Sequence, residues 1–351
     1  MGKRETVLIF AGAGASKGVS EEKYPTTKEF FELLPGTITK SKVFQRLIQR
    51  LKSIHKTNVI DVEMFLWELG EFESFLIKAT QTAEIGGYFL GGNNLGDAVG
   101  VNANFGNLSD VLGKGLAEVK RLKEQTNKLV YDLYSDPPSE AELRETWIPL
   151  LTPILNEGHK IELVTTNYDL VLEEAVEILN PEYDLKLRID TGWRGRAQRI
   201  LDIDAWYDDT STAAENGMLT KLHGSVNWKN KDEKVLVGDA IPGSRDDQQV
   251  IIYPGFKGAA EGPIFKPLHD HFGKALASSK VCVFIGFAFR DGYINQVCER
   301  YGNDSQKIII LNPEKPDQVP FSENSKFLFQ DYFAHDTATQ VAAKALELLR
   351  K

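Results

Sequence analysis

Three polar segments, each following a short apolar run, carry the side chains best suited to chemistry. The first is Gly12-Ala13-Gly14-Ala15-Ser16, after the run Thr6 to Ala11. Glycine at 12 and 14 lets the backbone turn tightly and approach a ligand closely, because no Cβ stands in the way. A helix after that turn would present unpaired N–H groups and roughly half a positive charge. Gly12, Ala13, Gly14 and Ser16 would then seat a phosphate or pyrophosphate. A tight strand-to-helix turn without a ligand accounts for the same residues. The second segment is Thr165-Thr166-Asn167-Tyr168-Asp169. Asn167 and Asp169 supply hydrogen-bond donors and acceptors, although Asn and Asp are also among the best helix caps, and Asp169 fits that role alone. The third is Leu222-His223-Gly224-Ser225. An imidazole titrates near neutral pH and suits proton transfer; a structural histidine is the equal alternative.

Two further strand ends bear residues of the same kind: Gly286-Phe287-Ala288-Phe289-Arg290-Asp291 and Asn312-Pro313-Glu314. Counting the first glycine turn, five strand ends carry Gly or polar residues of the types that bind a dinucleotide. In an open parallel sheet, ligands sit beyond the carboxyl ends of the strands, so all five would face one crevice. The other histidines lack this setting. His269 and His271 are spaced i, i+2 in a helical stretch and point to different faces, against a two-histidine metal site. His55, His159 and His335 read as surface or loop residues.

The elements that would position these residues are legible from periodicity. Apolar runs at 161–165, 219–222, 250–253, 281–285 and 308–311 read as buried strands. Helical spacing marks 169–179, 264–276 and 339–349. Alternating strands and helices imply an α/β fold with a Rossmann-like parallel sheet covered by helices on both faces. Residues 40–158 break the pattern and read as an inserted helical module, dividing the α/β domain into 1–39 and 159–351. Val62, Phe65, Leu66 and Leu69 form one stripe there. Leu108, Leu112, Leu116, Val119, Leu122, Leu129 and Leu133 run through a long helix stopped by Pro137-Pro138. The Gly/Asn-rich stretch 86–106 reads as a loop.

Composition sets the outer bounds. With 42% apolar residues in 351 the chain can bury a sizeable core. No apolar run reaches the roughly 18 residues of a membrane helix, and Met1 to Glu5 leave no room for a signal peptide before the first strand; a cytoplasmic protein without a membrane partner is expected. A net charge of −9 argues against general nucleic-acid binding; Arg194, Arg196 and Arg199 are the dense basic candidates for a local groove. Two cysteines, Cys282 and Cys298, make no disulfide framework.

The order of these segments resembles the sirtuin family of NAD-consuming proteins. Gly-Ala-Gly-Ala-Ser at 12–16 is similar to the family's opening Gly-Ala-Gly-x-Ser. Thr-Thr-Asn-Tyr-Asp at 165–169 is similar to its Thr-Gln-Asn-Ile-Asp, and Leu-His-Gly-Ser at 222–225 to the segment with its catalytic histidine. Gly286-Phe287-Ala288-Phe289 stands where the family has Gly-Thr-Ser-Leu, and Asn312 where an asparagine contacts the adenosine side of NAD. The departures are equally specific. Deacylase sirtuins hold a zinc with four cysteines after His-Gly. Here Asn227 to Gly238 has none and reads as a hairpin, so no zinc is expected. Tyr24-Pro25-Thr26-Thr27 replaces Asp-Phe-Arg, and Tyr253-Pro254-Gly255 replaces Phe-Gly-Glu at the acyl-peptide groove.

The pattern is thereby similar to the zinc-less sirtuin-like NAD hydrolases of prokaryotic anti-phage defence. That resemblance implies NAD as substrate, bound by Gly12, Ala13, Gly14, Ser16, Thr166, Gly286, Phe287 and Asn312. It implies catalysis by His223 as general base, Asn167 orienting ribose or water, and Asp169 fixing the nicotinamide end. The leucine stripe between 108 and 133 exceeds what one neighbouring helix needs, so a homo-oligomer with contacts through residues 58–158 is expected. With it comes an activating protein partner, such as an ATPase or a phage-derived trigger, because NAD hydrolysis has to be restrained at rest. The alternatives are a protein deacylase or ADP-ribosyltransferase, which needs an acceptor groove, and a non-enzymatic sensor of NAD or an ADP-ribose derivative, which would bind without turnover.

Overall fold

The computed structural model describes residues 4–26, 29–56, 60, 62–90, 105–184, 187–195, 199–206, 217–231, 234–238, 249–252, 263–322 and 325–351. Its strands, in chain order, are β1 (Thr6–Ala11), β2 (Lys160–Thr165), β3 (Ile189–Asp190), β4 (Trp193–Arg194), β5 (Arg199–Leu201), β6 (Gly217–Lys221), β7 (Gly224–Lys231), β8 (Lys234–Val237), β9 (Gln249–Ile251), β10 (Val281–Ile285), β11 (Lys307–Leu311) and β12 (Lys326–Phe329). Seven of them form one sheet in the order β12-β11-β10-β1-β2-β6-β3. Every pair in it is parallel. The central strands are buried along almost their whole length, which is why they read as unbroken apolar runs.

Side chains alternate across this sheet. Leu8, Phe10, Cys282, Phe284, Ile308 and Ile310 share a core cluster with Leu268, Phe272 and Leu276 of helix Phe265–Ser278 and Ile294 and Val297 of helix Gly292–Tyr301. Helices Trp147–Asn156 and His335–Arg350 pack on each other and on β2, β10 and β11. The chain leaves β1 toward β2 on one side and returns to β10 on the other. The order therefore reverses between β1 and β10, and the crevice such a reversal opens lies at the carboxyl ends of those strands.

A second sheet, β4-β5-β8-β7-β9, is antiparallel throughout. The chain passes into it from β6 through Leu222-His223. Leu222 N–H still bonds Thr165 of β2 at 2.8 Å, whereas His223 already accepts from Ile252 N–H at 3.0 Å. Gly224 then adopts φ +84°, and a Cβ there would lie 2.0 Å from the Val250 carbonyl oxygen. Only glycine makes this corner, which explains why it follows the histidine.

Several expectations change. The run 250–253 forms β9, but antiparallel in the second sheet rather than in the parallel one; Tyr253, Pro254 and Gly255 lie outside the described residues. The hairpin expected over 227–238 is β7–β8, closing with Lys231 opposite Lys234. The C-terminal helix begins at His335, four residues before its apolar spacing shows, and the helix expected from 169 begins at Val171. The stretch 86–90 is the end of helix Val62–Leu90, not loop, and 91–104 lie outside the described residues. Among the described residues, Arg194 and Arg199 pair with acidic side chains rather than line a basic groove. Arg194 forms a two-pronged pair with Asp190, both bonds 2.8 Å, and Arg199 pairs with Glu177 at 2.7 Å; Arg196 lies outside the described residues.

By its internal contacts the chain divides into a unit of residues 1–26 and 131–351, and a unit of residues 27–130. The second unit is helical. Its core joins Leu47, Leu51, Phe65, Leu66, Leu69, Val119 and Leu122, with Phe44 edge-on to Phe65 at 5.0 Å. In helix Phe105–Tyr134 the buried positions among the described side chains are Val119, Leu122, Thr126, Val130, Tyr131 and Tyr134, whereas Leu129 and Leu133 are only half-buried. No helix among the described residues is long and apolar enough to cross a membrane.

Candidate functional site at the carboxyl edge of the parallel sheet

At the ends of β1 and β10 two glycine loops lie backbone to backbone. Gly12 N–H bonds the Ile285 carbonyl at 2.9 Å and Gly14 N–H bonds the Gly286 carbonyl at 3.0 Å. Gly286 has φ +61°, and a Cβ on it would stand 2.1 Å from the Ala15 nitrogen. A Cβ on Gly12 would stand 2.6 Å from the Gly286 oxygen. The glycines are thus required first by each other, before any ligand approaches. Helix Ala13–Val19 opens directly from this contact, with Ser16 buried.

Asn167 is fixed against the same loop. Its Nδ2 donates to the Gly12 carbonyl at 2.9 Å and to Ser16 Oγ at 2.8 Å. Its backbone N–H donates to Thr165 Oγ1 at 2.9 Å, whose own hydroxyl donates to the Ala11 carbonyl at 2.9 Å. The Ser16 hydroxyl also hydrogen-bonds the Asp169 carboxyl group. Asp169 in turn caps the following helix by accepting from Val171 N–H at 3.1 Å. Burial pushes the Asp169 carboxyl above the usual range, against the opposing pull of the Lys221 ammonium and the Ser16 bond. Thr166 is half-buried beside Asn167. So β1 and β2 bring Gly12, Ser16, Asn167 and Asp169 into one connected group.

His223 follows β6, the strand beside β2, at the corner between the sheets, and is 2% exposed. Its Nε2 stands 3.6 Å from Asp291 Oδ2, and its ring lies 6.3 Å from that of Tyr168, the neighbour of Asn167. Burial drives its pKa down to about 3, so the imidazole is neutral across the physiological range. His269 lies 6.4 Å from it, ring to ring, and its Nε2 meets the Leu222 carbonyl at 3.0 Å. Burial, then the neighbouring His223, lowers His269 to about 4. Asp291 accepts from Tyr293 and Ile294 N–H at the start of helix Gly292–Tyr301, and burial raises its carboxyl.

Phe287 and Asn312 are placed differently from the others. The Phe287 ring packs in the core against Phe10 at 4.6 Å and Phe289 at 4.9 Å. Asn312 is 6% exposed and donates from Nδ2 to the Phe287 carbonyl at 2.7 Å. Its side chain braces the loop that carries Gly286. His271 bonds Glu162 Oε2 at 3.0 Å, away from His269, and no cluster of three or more His, Cys, Asp or Glu fit to hold a metal occurs among the described residues.

Reading by strand ends missed two groups. Asp291 was visible as the polar end of the fourth run, but only the corner at His223 shows that it faces the imidazole. Lys221 and Glu173 form a buried pair, Nζ to Oε1 2.7 Å, each 3% exposed at the side chain. The signal for it was present in part: a lysine inside the short run 219–222 needs a buried acidic partner if that run is buried.

A glycine turn, an anchored asparagine and a neutral histidine along the carboxyl edge of a parallel sheet define a Rossmann-like protein with its site at that edge. Residues 161–334 match the family model described as a SIR2-like domain. That stretch, just under half of the chain, is similar to a SIR2-like domain. The match begins at β2, so it holds Asn167, Asp169, His223, Gly286 and Asn312 but not the glycine turn at 12–16. No curated protein matches the chain. Among solved structures, the chain is similar to a Sir2 homologue mutant in complex with 2′-O-acetyl ADP ribose, at 10% identity over 99% of this chain and 94% of that one, TM-score 0.44. It is also similar to a Sir2 homologue–NAD complex, at 10% identity over 98% and 90%, TM-score 0.44. The fold assignment rests on the strand order and the family match.

Proposed function

We propose that the chain is an NAD glycohydrolase, cleaving NAD to nicotinamide and ADP-ribose or a cyclic form, and that it depletes NAD in anti-phage defence. The observation that carries this reading is the anchoring of Asn167 on Gly12 and Ser16, next to Asp169 and within the stretch similar to a SIR2-like domain. The donor set suits the substrate. With both Nδ2 protons of Asn167 spent inside the protein, its Oδ1 is the atom that can accept from a ribose hydroxyl or a water. The pyrophosphate would lie at the carboxyl edge where the β1 and β10 glycine loops meet, although the Gly12 and Gly14 N–H groups are spent on the Ile285 and Gly286 carbonyls.

The chemistry asks little of the protein. The bond between ribose C1′ and the nicotinamide nitrogen breaks, and its electron pair stays with nicotinamide, which leaves neutral. C1′ gains oxocarbenium character, and a water oxygen bonds to it and gives up a proton. A neutral His223 can take that proton, and Asp291 at 3.6 Å can steady the imidazolium. A base whose pKa is about 3 is weak, so positioning rather than proton transfer supplies most of the acceleration. The proposal includes a homo-oligomer and an activating protein partner, because unrestrained hydrolysis would drain the cell's NAD.

The test is chromatography of NAD incubated with the purified chain, alone and with extract of phage-infected cells. Release of nicotinamide with an equal amount of ADP-ribose product supports the reading. NAD that stays intact until an acetyl-lysine peptide is added, and is then consumed one for one with the deacetylated peptide formed, would replace it with a deacylase.

A further inference from the structure

The buried Lys221–Glu173 pair has no part in the steps above, yet it ties the turn that carries His223 to the residues that follow Asn167. Lys221 is two residues before His223 and Ser225 two residues after it. Lys221 Nζ donates to the Asp169 carbonyl and, at 2.7 Å, to Glu173 Oε1. Ser225 Oγ lies 3.0 Å from Glu173 Oε1 and 3.3 Å from the Tyr168 carbonyl. Val226 N–H bonds that same Tyr168 carbonyl at 3.0 Å. The turn carrying His223 is thus fastened at both its ends to the two residues that follow Asn167.

The pair is an expensive way to hold a fold. Desolvating two charges costs about as much as their attraction returns, and an apolar pair of equal volume is often as stable. Glu173 Oε2 is moreover buried without a hydrogen-bond partner among the described residues. Stability does not explain the arrangement; position and charge do. The groups facing Asp169 are the Ser16 hydroxyl from helix Ala13–Val19, the Lys221 ammonium from β6, the Tyr24 phenol and Glu173 one turn along its own helix. A single ammonium therefore stands against two buried carboxyl groups.

The geometry points to Lys221 and Glu173 as positioning residues that clamp the Asn167–Asp169 loop to the His223 turn and set the charge of Asp169. The inference deepens the proposed NAD hydrolysis and rests on the roles given there to Asn167 and His223, but its structural half stands on the bonds alone. Its charge half has a signature that a scaffold would lack. Lys221→Met removes a positive neighbour of Asp169 and raises its titration midpoint. Glu173→Gln removes a negative neighbour and lowers it.

The test uses the full chain with three readouts. Carboxyl-carbon NMR of labelled aspartate, with Asp169→Asn for assignment, should show midpoints moving in opposite directions by half a pH unit or more in the two variants. Shifts in the same direction, or none, overturn the inference. Because either single variant leaves a buried charge unpaired and can fail to fold, Lys221→Met/Glu173→Gln removes both. In it, amide exchange at Val171 and Val226 should quicken tenfold or more relative to Val164. Unchanged exchange overturns the inference as well. Nicotinamide release by the double variant should fall roughly 10²-fold in kcat with KM for NAD within about threefold, as expected for a displaced site. A wild-type chain that releases no nicotinamide under any condition defeats the proposed function, while exchange and NMR still decide the clamp.

Discussion

Asn167 spends both protons of its side-chain amide on the protein itself, donating to the Gly12 carbonyl at 2.9 Å and to Ser16 Oγ at 2.8 Å. The carboxyl edge of β2 is locked to that of β1 by one side chain, and the orientation of its Oδ1 follows. Asn167→Asp keeps the shape and loses both donors. It sets an acceptor against the Gly12 carbonyl, so the variant should lose about 1–3 kcal/mol of stability in urea unfolding. An unfolding midpoint equal to the wild type's would show that the two bonds contribute nothing.

His269 should make the protein sensitive to mild acid. Its folded pKa of about 4 lies below the ordinary 6.5. Between those values the unfolded chain binds the proton and the folded chain does not, so stability falls as pH falls. His269→Gln can keep a bond to the Leu222 carbonyl while removing the titration. The slope of unfolding free energy against pH should then be smaller by up to one proton, about 1.4 kcal/mol per pH unit between pH 6 and 4.5. Parallel slopes for variant and wild type would contradict this.

Gly286 and Gly292 stand six residues apart in opposite circumstances. A Cβ at 286 meets the Ala15 nitrogen at 2.1 Å with φ +61°, whereas a Cβ at 292 meets nothing within 4 Å. Gly286→Ala should cost about 2–4 kcal/mol, through strain and the parting of the two glycine loops. Gly292→Ala should stay within about 0.5 kcal/mol of wild type. Equal unfolding midpoints for the pair would dismiss the close packing of the loops.

The parallel sheet was legible because its strands are buried on both faces and read as unbroken apolar runs. β3, two residues long, and β12, with Leu328 exposed, lack that signature and escaped notice. Val250 looked like the other runs but pairs with β7, since one apolar run of four residues does not reveal which sheet will bury it. The strand ends at Gly12, Asn167 and His223 were legible as polar residues following apolar runs. What stayed hidden was their wiring. That Asn167 donates to Ser16, that His223 faces Asp291 and that Lys221 reaches Glu173 all depend on which strands lie side by side, and strand order is not written in any single segment.

The most direct measurement is release of nicotinamide from NAD by the activated wild-type chain, set beside Asn167→Ala and His223→Ala with their folding checked by circular dichroism. Turnover lowered about 10²-fold or more in both variants, with wild-type spectra, is the result this account predicts. Wild-type turnover in both folded variants would contradict it.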